Sequence, residues 1–223
     1  LMVNSIDKNF IIAINILNKL NIKYFVVCGT LLGIVRDKNL IASDNDIDIA
    51  ILKKDLKDKN LIINEFKKKK FLKIKKFYKN EKLISFKKKG GRTVDINIYE
   101  NYNKNYYICK NYFIKNFFAK ITYILSLGKS YRGNYKSFFH LFSFMKKIFV
   151  LIKKILIEKN IMYSEGGYIV PKFFFKKRLK FSFKNIYFYS PFLYQRYLSY
   201  MYGNWRIKDK KYNWTKSKNF KIL

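Results

Sequence analysis

Residues 29–50 read G-T-L-L-G-I-V-R-D-K-N-L-I-A-S-D-N-D-I-D-I-A, and they set the fold. At the C-terminal end of this stretch, residues 46–52 alternate. Asp46, Asp48 and Ala50 point one way and Ile47, Ile49 and Ile51 the other, which is the period of a strand. Upstream, residues 24–28 form a short apolar run that fits a buried strand. Gly29-Thr30 breaks that run. Residues 31–36 then read as a short helix starting at the break, and residues 37–45 as a polar loop. The expected order is strand, tight turn, helix, loop, strand.

The chemistry sits at the second strand. Residues 44–48, D-N-D-I-D, place three acidic groups within five residues. Such groups repel one another unless a cation or basic groups lie between them. Asp46 and Asp48, two apart on a strand, share a face. Oxygen-only ligands suit Mg2+ or Mn2+. Asp95 lies on a later stretch with the same alternation, Val94, Ile96 and Ile98 against Asp95 and Asn97. Were that strand to pair beside residues 46–52, Asp95 would complete a three-carboxylate site of the kind that holds two divalent ions for phosphoryl displacement. Gly29 and Thr30 offer backbone N–H groups and a hydroxyl to an anion, and Arg36 can reach the same phosphates. An acidic strand edge or an Asx-rich turn gives the same D-N-D-I-D pattern without any metal.

Composition narrows the classes. The 223 residues carry 48 Lys+Arg against 14 Asp+Glu, a formal charge of +34, yet 49% are hydrophobic, so a disordered polycation is excluded. Only six of the 48 basic residues are Arg. Lys, Asn, Ile, Phe and Tyr, the residues of A/T-rich codons, dominate the chain, so much of the charge reads as genome composition plus a generic attraction to anions. Specific readers of nucleic acid favour the planar fork of Arg, which argues against that partner. Two cysteines, Cys28 and Cys109, cannot build a four-thiolate zinc site, and a single histidine, His140, excludes HExxH chemistry. His140 reads as a packed or surface residue, and Cys28 as core rather than nucleophile. With so few acidic residues, a cluster of them is informative.

The rest of the chain is read around this centre. A helix is expected over residues 5–21, from Ile6, Phe10, Ile14 and Leu17, with Ser5 as its N-cap. Another is expected over 55–69, and strands over 71–78, 82–88 and 92–99, the last two joined at Gly90-Gly91. Residues 103–125 show no clean period and 128–133 read as a loop. Residues 138–158 read as one helix carrying Lys146, Lys147, Lys153 and Lys154 among apolar residues. It fits a core helix with snorkelling lysines, the favoured reading, or one lying on an anionic membrane. Residues 164–172 read as a turn-rich connection, 178–183 and 186–189 as strands, and Pro191 as the opening of a last helix ending at Gly203. Tyr202 and Trp205 serve equally as a stacking pair for a base or sugar and as a cap on that helix. No secretory pattern is read at the start and no apolar run is long enough to span a membrane, so a cytoplasmic protein, peripheral on the inner membrane face, is expected. The chain opens on Leu1 rather than Met, which fits a missing N-terminal segment.

The run from Gly29 to Ala50 resembles the signature of the LicD/fukutin family, which has the form G-T-L-L-G-x-x-R, a short basic loop, then P-W-D-D-D-I-D. Y-L-S-Y-M-Y-G-N-W at residues 197–205 is similar to the family's tyrosine-glycine motif, and Asp95 matches its third aspartate. Ala42-Ser43 stands where the family has Pro-Trp, Asn45 where it has the middle Asp, and F-S-F-K-N at 181–185 where it often has Phe-Glu-Gly. The proline often found after the tyrosine-glycine motif is absent. The resemblance implies an α+β nucleotidyltransferase (DNA-polymerase-β-like) fold, a mixed sheet flanked by helices with a C-terminal α/β extension. The expected division is a catalytic core at 1–100 and an extension at 101–223.

It also implies transfer of a phospho-alcohol such as phosphocholine from a CDP-activated donor to the hydroxyl of a glycan or lipid-linked glycan. Asp46 and Asp48 are then expected to bind Mg2+ or Mn2+. Asp95 would bind metal or help activate the acceptor, and Gly29, Thr30 and Arg36 would hold the donor phosphates. Two alternatives stand beside it: a nucleotidyltransferase moving NMP from an NTP to a small molecule, protein or RNA, and a non-catalytic basic module that binds nucleic acid.

Overall fold

The computed structural model describes residues 7–56, 58–74, 82–131, 133–209, 212 and 217–223. The protein is α+β, with a mixed sheet flanked by helices. Its strands are β1 (Tyr24–Val26), β2 (Asp46–Leu52), β3 (Leu72–Ile74), β4 (Leu83–Lys87), β5 (Thr93–Asn101), β6 (Tyr106–Ile114), β7 (Tyr163–Pro171), β8 (Arg178–Phe183), β9 (Ile186–Pro191) and β10 (Phe220–Ile222). The helices are α1 (Lys8–Lys19), α2 (Cys28–Leu32), α3 (Lys59–Lys68), α4 (Phe117–Leu127), α5 (Lys136–Leu141), α6 (Lys146–Glu158) and α7 (Tyr194–Tyr202). The main sheet runs β1-β2-β5-β6-β7-β10, with β4 also on β5 and β3 on β4; β8 and β9 form a separate hairpin. The chain forms two compact units, residues 1–110 with 167–221, and residues 111–166 with 222–223.

In the first unit, α1 buries Phe10, Ala13, Ile14 and Leu17, the apolar face that their spacing requires. Its N-cap is Asp7, whose carboxylate accepts from Asn9 N at 2.8 Å and Phe10 N at 3.3 Å. The expected cap, Ser5, lies outside the described residues. Asn9 is buried in the first turn and donates to the carbonyls of Lys88 (3.0 Å) and Arg92 (2.8 Å), clamping both ends of the β4–β5 hairpin. Gly90 there has φ +89°, and a Cβ on Gly91 would lie 2.7 Å from Asp7 Oδ1 and 2.6 Å from Asn9 Cγ. The Gly-Gly pair therefore serves a turn and a close approach at once.

Strand β2 has the bounds its alternation predicts. It pairs antiparallel with β1 and parallel with β5, whose other edge takes β4 antiparallel. Ile47, Ile49 and Ile51 are fully buried, as is Ala50 on the other face. Beside β1 lies the β8–β9 hairpin, whose turn residues Lys184 and Asn185 both have positive φ, as a two-residue hairpin turn demands. Phe188 meets Phe10 edge to face at 5.6 Å between ring centroids, locking that hairpin to α1.

Several expectations change. The helix after β1 begins at Cys28, so Gly29 and Thr30 lie inside it, and residues 33–37 continue as a π-turn. The structureless 103–125 becomes β6 and α4. The turn-rich 164–172 is strand β7, and Pro191 ends β9 rather than opening α7. Of the strand expected at 71–78, residues 72–74 are β3 and 75–78 lie outside the described residues. The helix expected over 138–158 is broken into α5, a 3-10 turn at Ser143–Met145, and α6. α6 is not a core helix, since only Ile157 on it is buried. In the second unit, Ile157 packs with Ala119 and Met162. His140 Nε2 lies 3.0 Å from the carbonyl of Tyr131. Among the described residues no helix is long and apolar enough to cross a membrane.

Candidate active site

Parallel pairing of β2 and β5 sets Asp48 beside Asp95 and Asp46 beside Thr93. On the far side of β5, Ser85 of β4 stands opposite Asp95. Residues in register on adjacent strands project to one face, so Asp48, Asp95 and Ser85 form a row across three strands. Asp95 is 5% exposed. The Ser85 hydroxyl is buried and has no hydrogen-bond partner among the described residues.

Asp48 is the hub. Its backbone N–H donates to Thr30 Oγ1 at 2.8 Å, and its carbonyl accepts from Val27 N at 3.2 Å. Its Oδ1 accepts from Asn97 Nδ2 at 3.1 Å, and Asn97 Oδ1 in turn accepts from the Cys109 thiol at 3.7 Å. Oδ2 is left on the Gly29 side, 4.0 Å from where a Gly29 Cβ would stand. The first aspartate of the cluster, Asp44, comes closer still: a Cβ on Gly29 would collide with its Oδ2. The glycine gives this carboxylate its place, which a methyl group would make it leave. Burial, then the hydrogen bond and charge of Asp46, push the Asp44 carboxyl up to about 6, with the Arg92 charge pulling it partly back.

Helix α2 is held at its start by α7. Cys28 has φ +50°, an uncommon conformation for a non-glycine, and its N–H donates to the Tyr197 hydroxyl at 3.4 Å. The Cys28 thiol lies 3.6 Å from the same hydroxyl. Burial, then the charge of Asp48, raises that thiol well above its ordinary range, which keeps it protonated. Trp205, nearly buried, donates from Nε1 to Ser199 Oγ at 3.2 Å, closing the end of α7.

Of the expected phosphate ligands, Thr30 is buried with its oxygen already accepting from Asp48 N. Its hydroxyl proton is still available in principle to a further acceptor. Arg36 makes a bidentate pair with Asp37, 2.9 Å from Nε and 3.0 Å from Nη2, and holds the Asp37 carboxyl below its usual range.

The structure therefore brings Asp46, Asp48, Asp95, Gly29 and Thr30 to neighbouring positions on β2, β5 and α2 and engages Arg36 with its sequence neighbour. Asp44, Asn97 and Arg92 join the site without having been assigned a role from the sequence. Only Asp44 had a local signal, the first letter of D-N-D-I-D.

Among the described residues, no three His, Cys, Asp or Glu side chains are set to hold a metal. The donor chemistry nonetheless fits Mg2+, which is commonly held by one or two carboxylates together with substrate phosphates rather than by an all-protein cage. Asp46 and Asp48, two oxygen donors on one face of β2, supply that part. Crowding of Asp44 against Asp46 is the repulsion a cation would relieve.

Residues 21–129 match the family described as LicD/FKTN/FKRP, nucleotidyltransferase domain. This span contains α2, β2, β4 and β5, and so Asp48, Asp95 and Ser85 together with Gly29 and Thr30. No curated protein matches the chain. Over residues 21–129 the chain is similar to the LicD/FKTN/FKRP nucleotidyltransferase family, whose members are generally transferases.

Proposed function

We propose that this protein transfers a phospho-alcohol, phosphocholine or a relative of it, from a CDP-activated donor to a glycan hydroxyl, releasing CMP. The observation that supports this most is the side-by-side placement of Asp48 and Asp95 on parallel strands, beside the Gly29-Thr30 helix and within the family-matched span.

In this reading Asp46 and Asp48 hold Mg2+ or Mn2+. A cation held by these two carboxylates would supply charge neutralisation for the donor pyrophosphate and the leaving CMP oxygen. Gly29 leaves room for the Asp44 carboxylate to lie against the α2 backbone beside Asp48. Thr30 fixes the height of Asp48 through its amide and turns its own proton toward the donor. Arg36 keeps one guanidinium nitrogen, Nη1, for phosphate while Asp37 fixes the plane of the fork. Asp95, beside Asp48, takes the proton of the acceptor hydroxyl. The acceptor oxygen forms a bond to the phosphorus that carries the alcohol, the bond from that phosphorus to CMP breaks, and CMP departs with the electron pair. Asn97 holds Asp48 Oδ1, so that Oδ2 stays on the side where the donor lies.

The test is a donor screen with purified protein and Mg2+ or Mn2+. CDP-choline and related CDP-alcohols are set against labelled NTPs, with and without candidate glycans. CMP release from a CDP-alcohol supports the proposal. Incorporation of NMP from an NTP with no CMP release replaces it with nucleotidyl transfer. Steeply salt-dependent binding to arbitrary DNA or RNA with neither reaction replaces it with a basic nucleic-acid module.

A further inference from the structure

Helix α6 of the second unit has two apolar faces. The inner one carries Ile157 and Leu156, which pack with Ala119, Met162 and Tyr123. Lys153 belongs to that side too, with its ammonium 4.8 Å above the Tyr123 ring. The outer face is a second stripe. Phe144, in the 3-10 turn just before the helix, is followed by Ile148, Leu151 and Ile155 at spacings of four, three and four, a single row along a helix. All four are exposed, at 80%, 54%, 63% and 50%. Lys147 and Lys154, both exposed, sit seven residues apart along one edge of the row.

We infer that this stripe docks the protein on the surface of an anionic lipid bilayer, with Phe144, Ile148, Leu151 and Ile155 in the acyl boundary and Lys147 and Lys154 among the headgroups. Apolar row and lysine edge together are the pattern of a helix lying in the membrane interface. Charge decides the occupant. Residues 111–166 hold ten basic residues against two acidic ones, Glu158 and Glu165. A second copy would bring two chains of +34 together over this face, whereas an anionic leaflet is attracted by each lysine near its surface. The row is short and interfacial, in keeping with the lack of any membrane-crossing helix among the described residues. This inference is independent of the reaction proposed above.

The test uses the full chain and sedimentation with vesicles of phosphatidylcholine alone, or with about one-third phosphatidylglycerol, an anionic lipid. The protein is expected to sediment with the anionic vesicles and not with the neutral ones. Leu151→Asp should lower partitioning at least about tenfold, and Lys147→Gln with Lys154→Gln about thirtyfold. In Leu151→Trp, the added indole emission should shift to the blue on binding and be quenched by brominated acyl chains. Circular dichroism checks the fold. Should Leu151→Asp unfold the protein, Ile148→Ser asks the same question. The inference is overturned if these variants bind anionic vesicles like the parent, or if the indole keeps its emission in water while the protein is bound. It is also overturned if the parent ignores vesicles and instead forms a dimer that Leu151→Asp abolishes.

Discussion

The side-chain amide of Asn97 donates to Oδ1 of Asp48 at 3.1 Å, joining the fifth residue of β5 to the third of β2 across the parallel pair. Asn97 itself is held by the Cys109 thiol. Asp48 is therefore aimed by a neighbour on the adjacent strand. Asn97→Ala should cost about 1–3 kcal/mol in stability, the range for a bond to a charged group. It should also weaken Mn2+ binding roughly 10–100-fold, as loss of an outer-sphere orienting partner does. Thermal melts and a Mn2+ titration followed by electron paramagnetic resonance read the two effects separately. A melting loss with unchanged Mn2+ affinity would reduce Asn97 to a packing residue.

Gly29 and Gly33 lie four residues apart in sequence and face different surroundings. A Cβ on Gly33 would stand 2.7 Å from the carbonyl oxygen of Asn39 and 2.8 Å from Ile41 N, both backbone atoms that cannot turn aside. Gly33→Ala should therefore destabilise by about 1–3 kcal/mol. On Gly29 the same methyl meets the end of the Asp44 side chain, which can rotate away. Gly29→Ala should leave the melting temperature nearly unchanged and lower turnover by displacing a carboxylate from the site. Paired melts and activity assays of the two variants check this opposition.

Arg36 forms two parallel bonds to Asp37 that a lysine cannot reproduce. Arg36→Lys should destabilise by about 1 kcal/mol. If the remaining nitrogen also meets donor phosphate, KM for the CDP-alcohol should rise while acceptor KM stays level. Steady-state kinetics with each substrate varied in turn distinguishes this from a purely structural loss.

Stability should fall at both ends of the pH scale for different reasons. Burial pushes the Glu100 carboxyl up, but Lys82 (2.6 Å), Lys110 (3.7 Å) and Lys53 (4.0 Å) outweigh it and hold it below its ordinary value of 4.5. A carboxyl lower in the folded than in the unfolded state contributes above the unfolded value and loses that contribution as pH falls through the folded one. Asp37 behaves the same way because of Arg36. On the alkaline side, burial first of all raises Cys28, Tyr99, Tyr197 and Tyr202 above their ordinary values. Those groups are kept neutral by the fold, so the unfolded chain ionises first and stability drains away above the ordinary values of 9.0 for Cys and 10.0 for Tyr. Asp44, raised to about 6, opposes these carboxyls between its ordinary value and that pH, so melting temperatures should level off only from about pH 7 to pH 9, with losses at the two extremes. Continued stability at pH 11 would contradict the burial of these hydroxyls and thiols.

What the sequence discloses here follows from the reach of each signal. Strand β2 and the β4–β5 hairpin are legible because alternation and a Gly-Gly turn are local. Asp46, Asp48 and Asp95 are legible as candidates because each sits on an alternating face. Asn97 on Asp48, Asp44 against Gly29 and Tyr197 on Cys28 are long-range relationships with no local mark.

Strand β7 was hidden by S-E-G-G, which reads as a turn. Gly167 sits in the strand because a Cβ there would run into the Cys109 carbonyl. Pro191 suits a helix opening by its sequence context, but proline also suits a strand end, which is where it lies. The outer row on α6 was visible as apolar spacing, but spacing alone does not tell a face that packs from one left in water.

The most direct measurement of the central claim is Mg2+-dependent CMP release from a CDP-alcohol by the parent protein and by Asp48→Asn, with circular dichroism on both. Asparagine keeps an oxygen for the Asn97 amide, so the fold should persist. The parent should release CMP only with the divalent ion, and the variant should lose activity by about a thousandfold or more. Full Mg2+-dependent release by a folded Asp48→Asn protein would contradict the account.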